Sequence, residues 1–275
     1  MKLLCSGMMT VIALLVGCGS GPQPISNLDI ANGKVIAEGD FPSVVQLFRK
    51  VYVNGKRRGA SLCTGAWIAD DLILTAAHCT GEGSSDEQGL VENLEMYVVE
   101  ITDHDASPKT SKLITTVVDA WRIKAWEKRK KSNRFDLAVL QTQPRKSNER
   151  PRVISEISNF PANKGDKVTL VGYGYHNITR WSAKGDDRKR VGYNTIDAYR
   201  NGFIDISGQA KDKSGGADGQ DANAGLGDSG GPMFHDGAII GVASSGGTSG
   251  LAGRGSSSYV DLHSEESLEF LKRFK

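Results

Sequence analysis

Three segments far apart in the chain carry residue types that can act together chemically. The first runs Cys63-Thr64-Gly65-Ala66-Trp67-Ile68 and on to Leu74-Thr75-Ala76-Ala77-His78-Cys79. The second is Asp136-Leu137-Ala138-Val139-Leu140, and the third is Gly227-Asp228-Ser229-Gly230-Gly231-Pro232. A serine hydroxyl is a weak nucleophile at neutral pH and needs a base beside it. Imidazole can take that proton and return it to a leaving group. Singly, each segment has a plainer reading. A histidine after a strand is usually structural, an aspartate before an apolar run is usually a turn residue, and Gly-Asp-Ser-Gly-Gly can be a loop. Nucleophilic chemistry follows only if the fold brings the three together.

The elements that must do so read as β. Short apolar runs bounded by turn residues occur at Ser43–Phe48, Ser61–Ala69, Leu72–Ala76, Met96–Ile101, Leu113–Val118 and Leu137–Gln141. Further runs follow at Lys167–Gly172, Pro232–His235, Ala238–Ser244 and Ser256–Leu262. They are too short for helices and rich in Val, Ile and Leu, a spacing that suggests barrels or sandwiches. Glycine makes up 33 of 275 residues, above the usual ~7%, which implies many tight turns and argues against an all-helical chain. The single good helix is expected over Ser264–Phe274. Ser264 would cap it, Glu265 and Glu266 sit in the first turn, and Leu268, Leu271 and Phe274 form an apolar stripe. With 39% apolar and 24% charged residues the chain can bury a core, and its net charge of +2 gives no global drive toward nucleic acid.

The N-terminus reads as a targeting segment. Met1 and Lys2 precede a mostly apolar stretch, Leu3 to Val16, which is too short for a spanning anchor. The stretch Leu15-Val16-Gly17-Cys18 resembles a bacterial lipobox, with residues 1–17 as the signal and Cys18 as the lipidated residue. Several acyl chains on one cysteine exceed the two-anchor threshold for stable membrane attachment. Residues 18–29 are rich in Gly, Pro, Ser and Asn and read as a flexible tether or propeptide. Export would put the remaining chain where disulfides persist, and Cys5 would be lost with the signal.

Taken in this order and with these neighbours, the three chemical segments resemble the chymotrypsin/trypsin family of serine proteases. The hexapeptide around Ser229 carries most of that resemblance. It extends to Ile30-Ala31-Asn32-Gly33, to Gly172-Tyr173-Gly174, and to Ser256–Leu262 with the final helix. The resemblance implies an all-β fold of two packed six-stranded antiparallel barrels with a C-terminal helix. The peptidase domain would cover 30–275, with one barrel over about 30–150, the second over about 151–262, and the helix over about 264–274. It implies a triad of Ser229 as nucleophile, His78 as general base and Asp136 as the acid that orients the imidazole. The backbone N–H groups of Gly227 and Ser229 would form the oxyanion hole. Cutting before Ile30 would free an amine to pair with Asp228. Cys63 and Cys79 would form the disulfide that flanks the histidine strand.

Departures from the family bear on specificity. Asn223 stands at the expected base of the specificity pocket, where relatives that cleave after Lys or Arg carry Asp, although Asp221 is two residues away. The pocket wall reads Ser244-Ser245-Gly246, and Gly225 replaces a usual cysteine. The basic stretch Arg122–Arg134 reads as a solvated or protease-sensitive loop, with recruitment of acidic substrates as the sharper option. The acidic stretches Glu82–Glu95 and Asp103–Asp105 lack convincing calcium-ligand spacing, and Asn177-Ile178-Thr179 matches a glycosylation sequon. The expectation is therefore a monomeric, exported, membrane-attached serine endopeptidase acting on proteins or peptides, with no metal, cofactor or nucleic acid. The rival is a non-catalytic, protease-like binding protein at the cell surface.

Overall fold

The computed structural model describes residues 30–53, 56–81, 85–86, 88–103, 110–128, 135–149, 152–174, 177–178, 183–184, 186–209, 219–249 and 254–275. The signal, Cys18, the tether and part of the basic stretch (129–134) lie outside these residues, as does Thr179 of the sequon. The strands of the first half are β1 (Lys34–Val35), β2 (Val44–Val53), β3 (Lys56–Trp67), β4 (Leu72–Thr75), β5 (Met96–Asp103), β6 (Thr110–Arg122) and β7 (Ala138–Thr142). Those of the second are β8 (Lys167–Gly172), β9 (Asn177–Ile178), β10 (Ala183–Lys184), β11 (Arg190–Thr195), β12 (Ala198–Arg200), β13 (Phe203–Gln209), β14 (Pro232–His235), β15 (Ala238–Ser249) and β16 (Arg254–Asp261).

Strands β2-β3-β4-β7-β6-β5 close into an antiparallel barrel. Its interior is filled by Leu47, Ile73, Leu74, Val98, Leu137 and Leu140, all within 1% of complete burial. Strands β4 and β7 are buried almost continuously along their length, and closure leaves no free edge. The second half is one sheet in the order β1-β11-β8-β14-β15-β16-β13-β12. Its inner six strands curl until β11 approaches β13, where Asn194 Nδ2 donates to Ser207 O at 3.1 Å and to Ala222 O at 2.6 Å. Strands β9 and β10 form a small separate pair.

The two halves exchange their ends. Strand β1 falls in the stretch assigned to the first barrel, yet it pairs antiparallel with β11 of the second sheet, Lys34 opposite Val191 and Val35 opposite Arg190. At the other terminus, α1 (Glu265–Leu271) packs back on the first barrel, and just beyond it the Phe274 ring meets Trp121 at a tilt of 53°, with 5.6 Å between ring centroids. Ser264 caps the helix by accepting from Ser267 N at 3.3 Å. The apolar stripe differs from the expected one. Phe270 and Leu271 are buried with Ser267, whereas Leu268 is 43% exposed, because the i, i+3, i+4 face that packs inward starts at Ser267 and leaves Leu268 at its edge; a 3₁₀ turn, Lys272–Phe274, follows.

Arg122 is also not a solvated loop residue. It ends β6 with its side chain 1% exposed, and Nη1 donates to Gly81 O at 2.8 Å. The inward phase of the strand places it there, and the carbonyl accepts from one of its buried N–H groups. No helix among the described residues is long and apolar enough to cross a membrane.

Candidate active site

Pairing of β4 with β7 creates the first contact. Thr75 lies opposite Ala138 in that ladder, so the turn leaving β4 and the turn entering β7 share one end of the barrel. His78 sits in the 3₁₀ turn Ala77–Thr80 directly after β4, and Asp136 sits just ahead of β7. Asp136 Oδ2 is 2.7 Å from His78 Nδ1, and Oδ1 accepts from the His78 backbone N–H at 2.8 Å. Ser244 Oγ donates to the same Oδ2 at 2.6 Å. Asp136 is fully buried, and the His78 side chain is 34% exposed. An ionised carboxylate can only accept, so Nδ1 carries the proton and Nε2 keeps a lone pair for a partner on the open side.

Ser229 is delivered by the loop that precedes β14. A buried threonine seats it against the first barrel. Thr64 N donates to Ser229 O at 2.8 Å, and Thr64 Oγ1 donates to Gly227 O at 3.0 Å. The same hydroxyl accepts from Tyr173 N at 3.1 Å, and Thr64 O accepts from Thr75 Oγ1 at 2.8 Å. Thr64 is thus bonded to the serine loop and to the strand that leads to His78. The neighbouring Cys63 is disulfide-bonded to Cys79 across a sequence separation of 16. Cys79 Sγ lies 3.5 Å from Ser229 O, and both sulfurs lie within 4.8 Å of a ring nitrogen of His78. Joined to each other, the sulfurs offer a metal no thiolate.

The peptide groups around Ser229 alternate between held and open. Asp228 N donates to Gly225 O at 3.2 Å and Gly230 N to Ala243 O at 2.7 Å. Among the described residues, neither the Gly227 nor the Ser229 N–H has a protein acceptor. Gly227 has φ +100°, a conformation that side chains disfavour. The result is two open donors separated by one residue, the arrangement an oxyanion hole needs.

Asp228 is turned inward. Its Oδ1 accepts from Gly174 N at 2.8 Å and its Oδ2 from Gly225 N at 2.7 Å. Gly172 and Gly174 are glycines because a Cβ at either would collide with that carboxylate. Complete burial raises the Asp228 pKa to about 7, against the opposing pull of the two N–H bonds and of Arg190. Arg190 itself pairs with Asp186 at 2.8 and 2.9 Å, so Asp228 has no ion-pair partner among the described residues. Ile30 is 1% exposed, in the second apolar cluster. It is buried, as Asp228 is, but no ion pair joins the two residues.

The family described as Trypsin matches residues 30–263. This chain belongs to the trypsin family. A search of curated proteins gives no match. Among solved structures, one titled neuropsin, a serine protease expressed in the limbic system of mouse brain, is similar to this chain. It has 16% sequence identity and a TM-score of 0.59, and the match covers 90% of this chain and 100% of that one. At that identity the likeness speaks for the fold.

Within this trypsin-family fold the expected pocket residues divide. Ser244 points its hydroxyl at Asp136, so it serves the acid. Asn223 is 3% exposed, with its N–H donating to Ala31 O at 3.0 Å. The Asp221 carboxylate accepts from Gln209 Nε2 at 2.6 Å, on the far side of Ala222 from Asn223. Thr64 carries no mark in the sequence. A threonine inside an apolar strand run reads as an ordinary β-former, and only the tertiary contacts assign it to the site.

Proposed function

We propose that this protein is a serine endopeptidase using Ser229, His78 and Asp136 as a triad. The observation that carries this reading is the His78–Asp136 pair, 2.7 Å apart with the acid fully buried, beside a serine loop whose Gly227 and Ser229 N–H groups stay open. His78 Nε2 takes the proton from Ser229 Oγ as that oxygen attacks the substrate carbonyl carbon. The carbonyl oxygen becomes an oxyanion between the N–H groups of Gly227 and Ser229. His78 then protonates the leaving nitrogen as the C–N bond breaks, and water repeats the sequence on the acyl-enzyme to free the acid. Asp136 holds the imidazole tautomer and stabilises the imidazolium.

The enzyme is exported and held at a bacterial membrane through lipidated Cys18. It is activated by a cut between Asp29 and Ile30, which frees the Ile30 amine to pair with Asp228. The buried, unpaired state of Asp228 supports this reading, since a carboxylate shifted up to about 7 by burial is a site waiting for a cation. Because Cys63 and Cys79 bond to each other, that cut also separates the catalytic unit from its anchor. A fluorophosphonate probe tests the chemistry. Labelling at Ser229 that is abolished in Ser229→Ala is the expected result, and an unlabelled, fully processed protein would sink the assignment. N-terminal sequencing of the active species tests the activation. Soluble protein beginning at Ile30 is expected, and full activity in protein beginning at acylated Cys18 would overturn it.

A further inference from the structure

Asp228 packs against one face of the second sheet, and two glycines mark where. A Cβ on Gly172 would collide with the Asp228 carboxylate, and one on Gly192 would sit 2.8 Å from Ile30 Cγ2. Gly172 faces Arg190 in the β8–β11 ladder, and Gly192 follows Arg190 two residues along β11. Register partners carry their side chains on one face of a sheet, as do residues two apart on a strand. Arg190 and Ile30 therefore lie on the face that Asp228 packs against. The adjacent Lys189 points to the other face, where its Nζ donates to Glu38 O at 2.8 Å and to Asp40 O at 3.1 Å.

Arg190 is fully buried, and its attraction is among the pulls on the Asp228 carboxyl. Its guanidinium is nonetheless turned to another acid. Nη1 and Nη2 donate to the two carboxylate oxygens of Asp186 at 2.8 and 2.9 Å, and Nη1 also donates to Arg188 O at 3.2 Å. Asp186 belongs to the segment that leads into β11, and Arg188 Nε lies 3.7 Å from its Oδ2. A two-pronged pairing of arginine with carboxylate is among the stronger charge-assisted contacts. One buried cation thus stands between two acids. Asp186 holds it, while Asp228, beside its stem, is buried without a cation of its own, a costly state for a carboxylate.

We propose that Asp186 is an autoinhibitory latch of the uncut chain: it withholds the Arg190 guanidinium from Asp228, and a chain freed of that hold pairs the two and becomes active without a cut. The inference rests on the peptidase reading above and on the need of Asp228 for a cation. Arg190 and the Ile30 amine would meet that need from the same sheet face. In the uncut chain Asp186 keeps the first away, and the cut supplies the second. Asp186 and Arg190 are positioning residues, acting through Asp228 on the N–H groups of Gly227 and Ser229.

The test uses the full chain with its N-terminus intact, verified by mass, beside the same protein cut before Ile30. The readout is the rate of fluorophosphonate labelling at Ser229, with hydrolysis of one peptide in parallel. Uncut Asp186→Asn should label at least ~10-fold faster than uncut wild type, a size usual for coupling between two sites. Adding Arg190→Gln should return the rate to that of uncut wild type. The cut forms of wild type and Asp186→Asn should label equally, because the amine then serves Asp228. Should Asp186→Asn not fold, Arg190→Lys keeps a cation but loses the fork that fits Asp186, and should raise uncut labelling in the same sense. Uncut wild type as fast as the cut enzyme, or uncut variants no faster than uncut wild type, would overturn the inference and leave the peptidase reading intact. So would a gain that survives Arg190→Gln. No labelling of any form, cut or uncut, would overturn the peptidase reading and this inference with it.

Discussion

Thr64 Oγ1 donates to Gly227 O at 3.0 Å, and two residues further along the serine loop Thr64 N donates to the carbonyl of Asp228's other neighbour, Ser229, at 2.8 Å. A single buried residue of the first barrel thus grips the carbonyls on both sides of Asp228. In the loop so held, the N–H groups of Gly227 and Ser229 have no acceptor among the described residues, while that of Asp228 is taken by Gly225 O. The hydroxyl also satisfies Tyr173 N, so removing it strands a buried donor and a buried acceptor. Each such loss costs ~1–3 kcal/mol. Thr64→Val should lower kcat by about 10-fold or more and change KM less. Thr64→Ser keeps the hydroxyl and should restore most of kcat. Steady-state kinetics on both variants check this, and equal kinetics in Val and Ser variants would refute it.

Ser229, His78 and Asp136 should behave as one unit. Replacing Ser229 or His78 by Ala should cost several orders of magnitude in kcat, up to ~10⁶ in a comparable enzyme, and the double replacement little more. Asp136→Asn should also be severe, because the amide can present an N–H where His78 Nδ1 needs an acceptor. Single and double variants assayed on one peptide substrate decide the point. Losses that multiply instead of saturating would mean the residues act separately.

The disulfide between Cys63 and Cys79 closes a short loop, with a separation of 16. Loop-entropy arithmetic gives ~3 kcal/mol for a loop of this size, and a domain this long loses ~2–4 °C in Tm per kcal/mol. A Cys63→Ser, Cys79→Ser protein should therefore melt about 6–12 °C lower. Because the bond joins the strand of Thr64 to the turn of His78, activity at low temperature should fall as well. Calorimetry and a matched activity assay would expose a bridge with neither effect.

Some of this was readable in the sequence, and the reason is physical in each case. β8 and β14 match their apolar runs to the residue, since strands buried by neighbours leave continuous apolar stretches. β11 and β13 left no such run. Their buried positions include Arg190, neutralised by Asp186, and Asp205, which accepts from Arg200 at 2.6 Å and Ser258 at 2.6 Å. A charged residue reads as surface when only the sequence is in view, even where a neighbour four or five residues away neutralises it in the fold. The triad types are legible because the chemistry demands them, whereas Thr64 is legible only after folding, because its role is hydrogen bonds to backbone groups. Leu268 reads as part of the stripe because the face the helix buries begins with a serine, Ser267, which an apolar pattern does not mark.

The last prediction concerns Asp228 and pH. Burial pushes its carboxyl up to about 7 in this fold, from an ordinary value of 3.8. The folded protein therefore holds a proton that the unfolded chain gives up between those values. Stability contributed by this group is present below about 3.8 and is lost as pH rises toward about 7. The size of the effect is on the order of a few kcal/mol. Uncut protein should show Tm falling over that window beyond what its other groups produce, and Asp228→Asn should flatten the fall because it cannot ionise. A cut before Ile30 should act in the opposite sense. An ammonium beside Asp228 favours the carboxylate, so the cut enzyme should lose this pH penalty and gain stability near neutrality. Melting curves at several pH values on uncut, cut and Asp228→Asn proteins make the comparison. Parallel Tm–pH profiles in all three would show that Asp228 is neither strained by burial nor relieved by the new amine, and would remove the physical basis for activation by that cut.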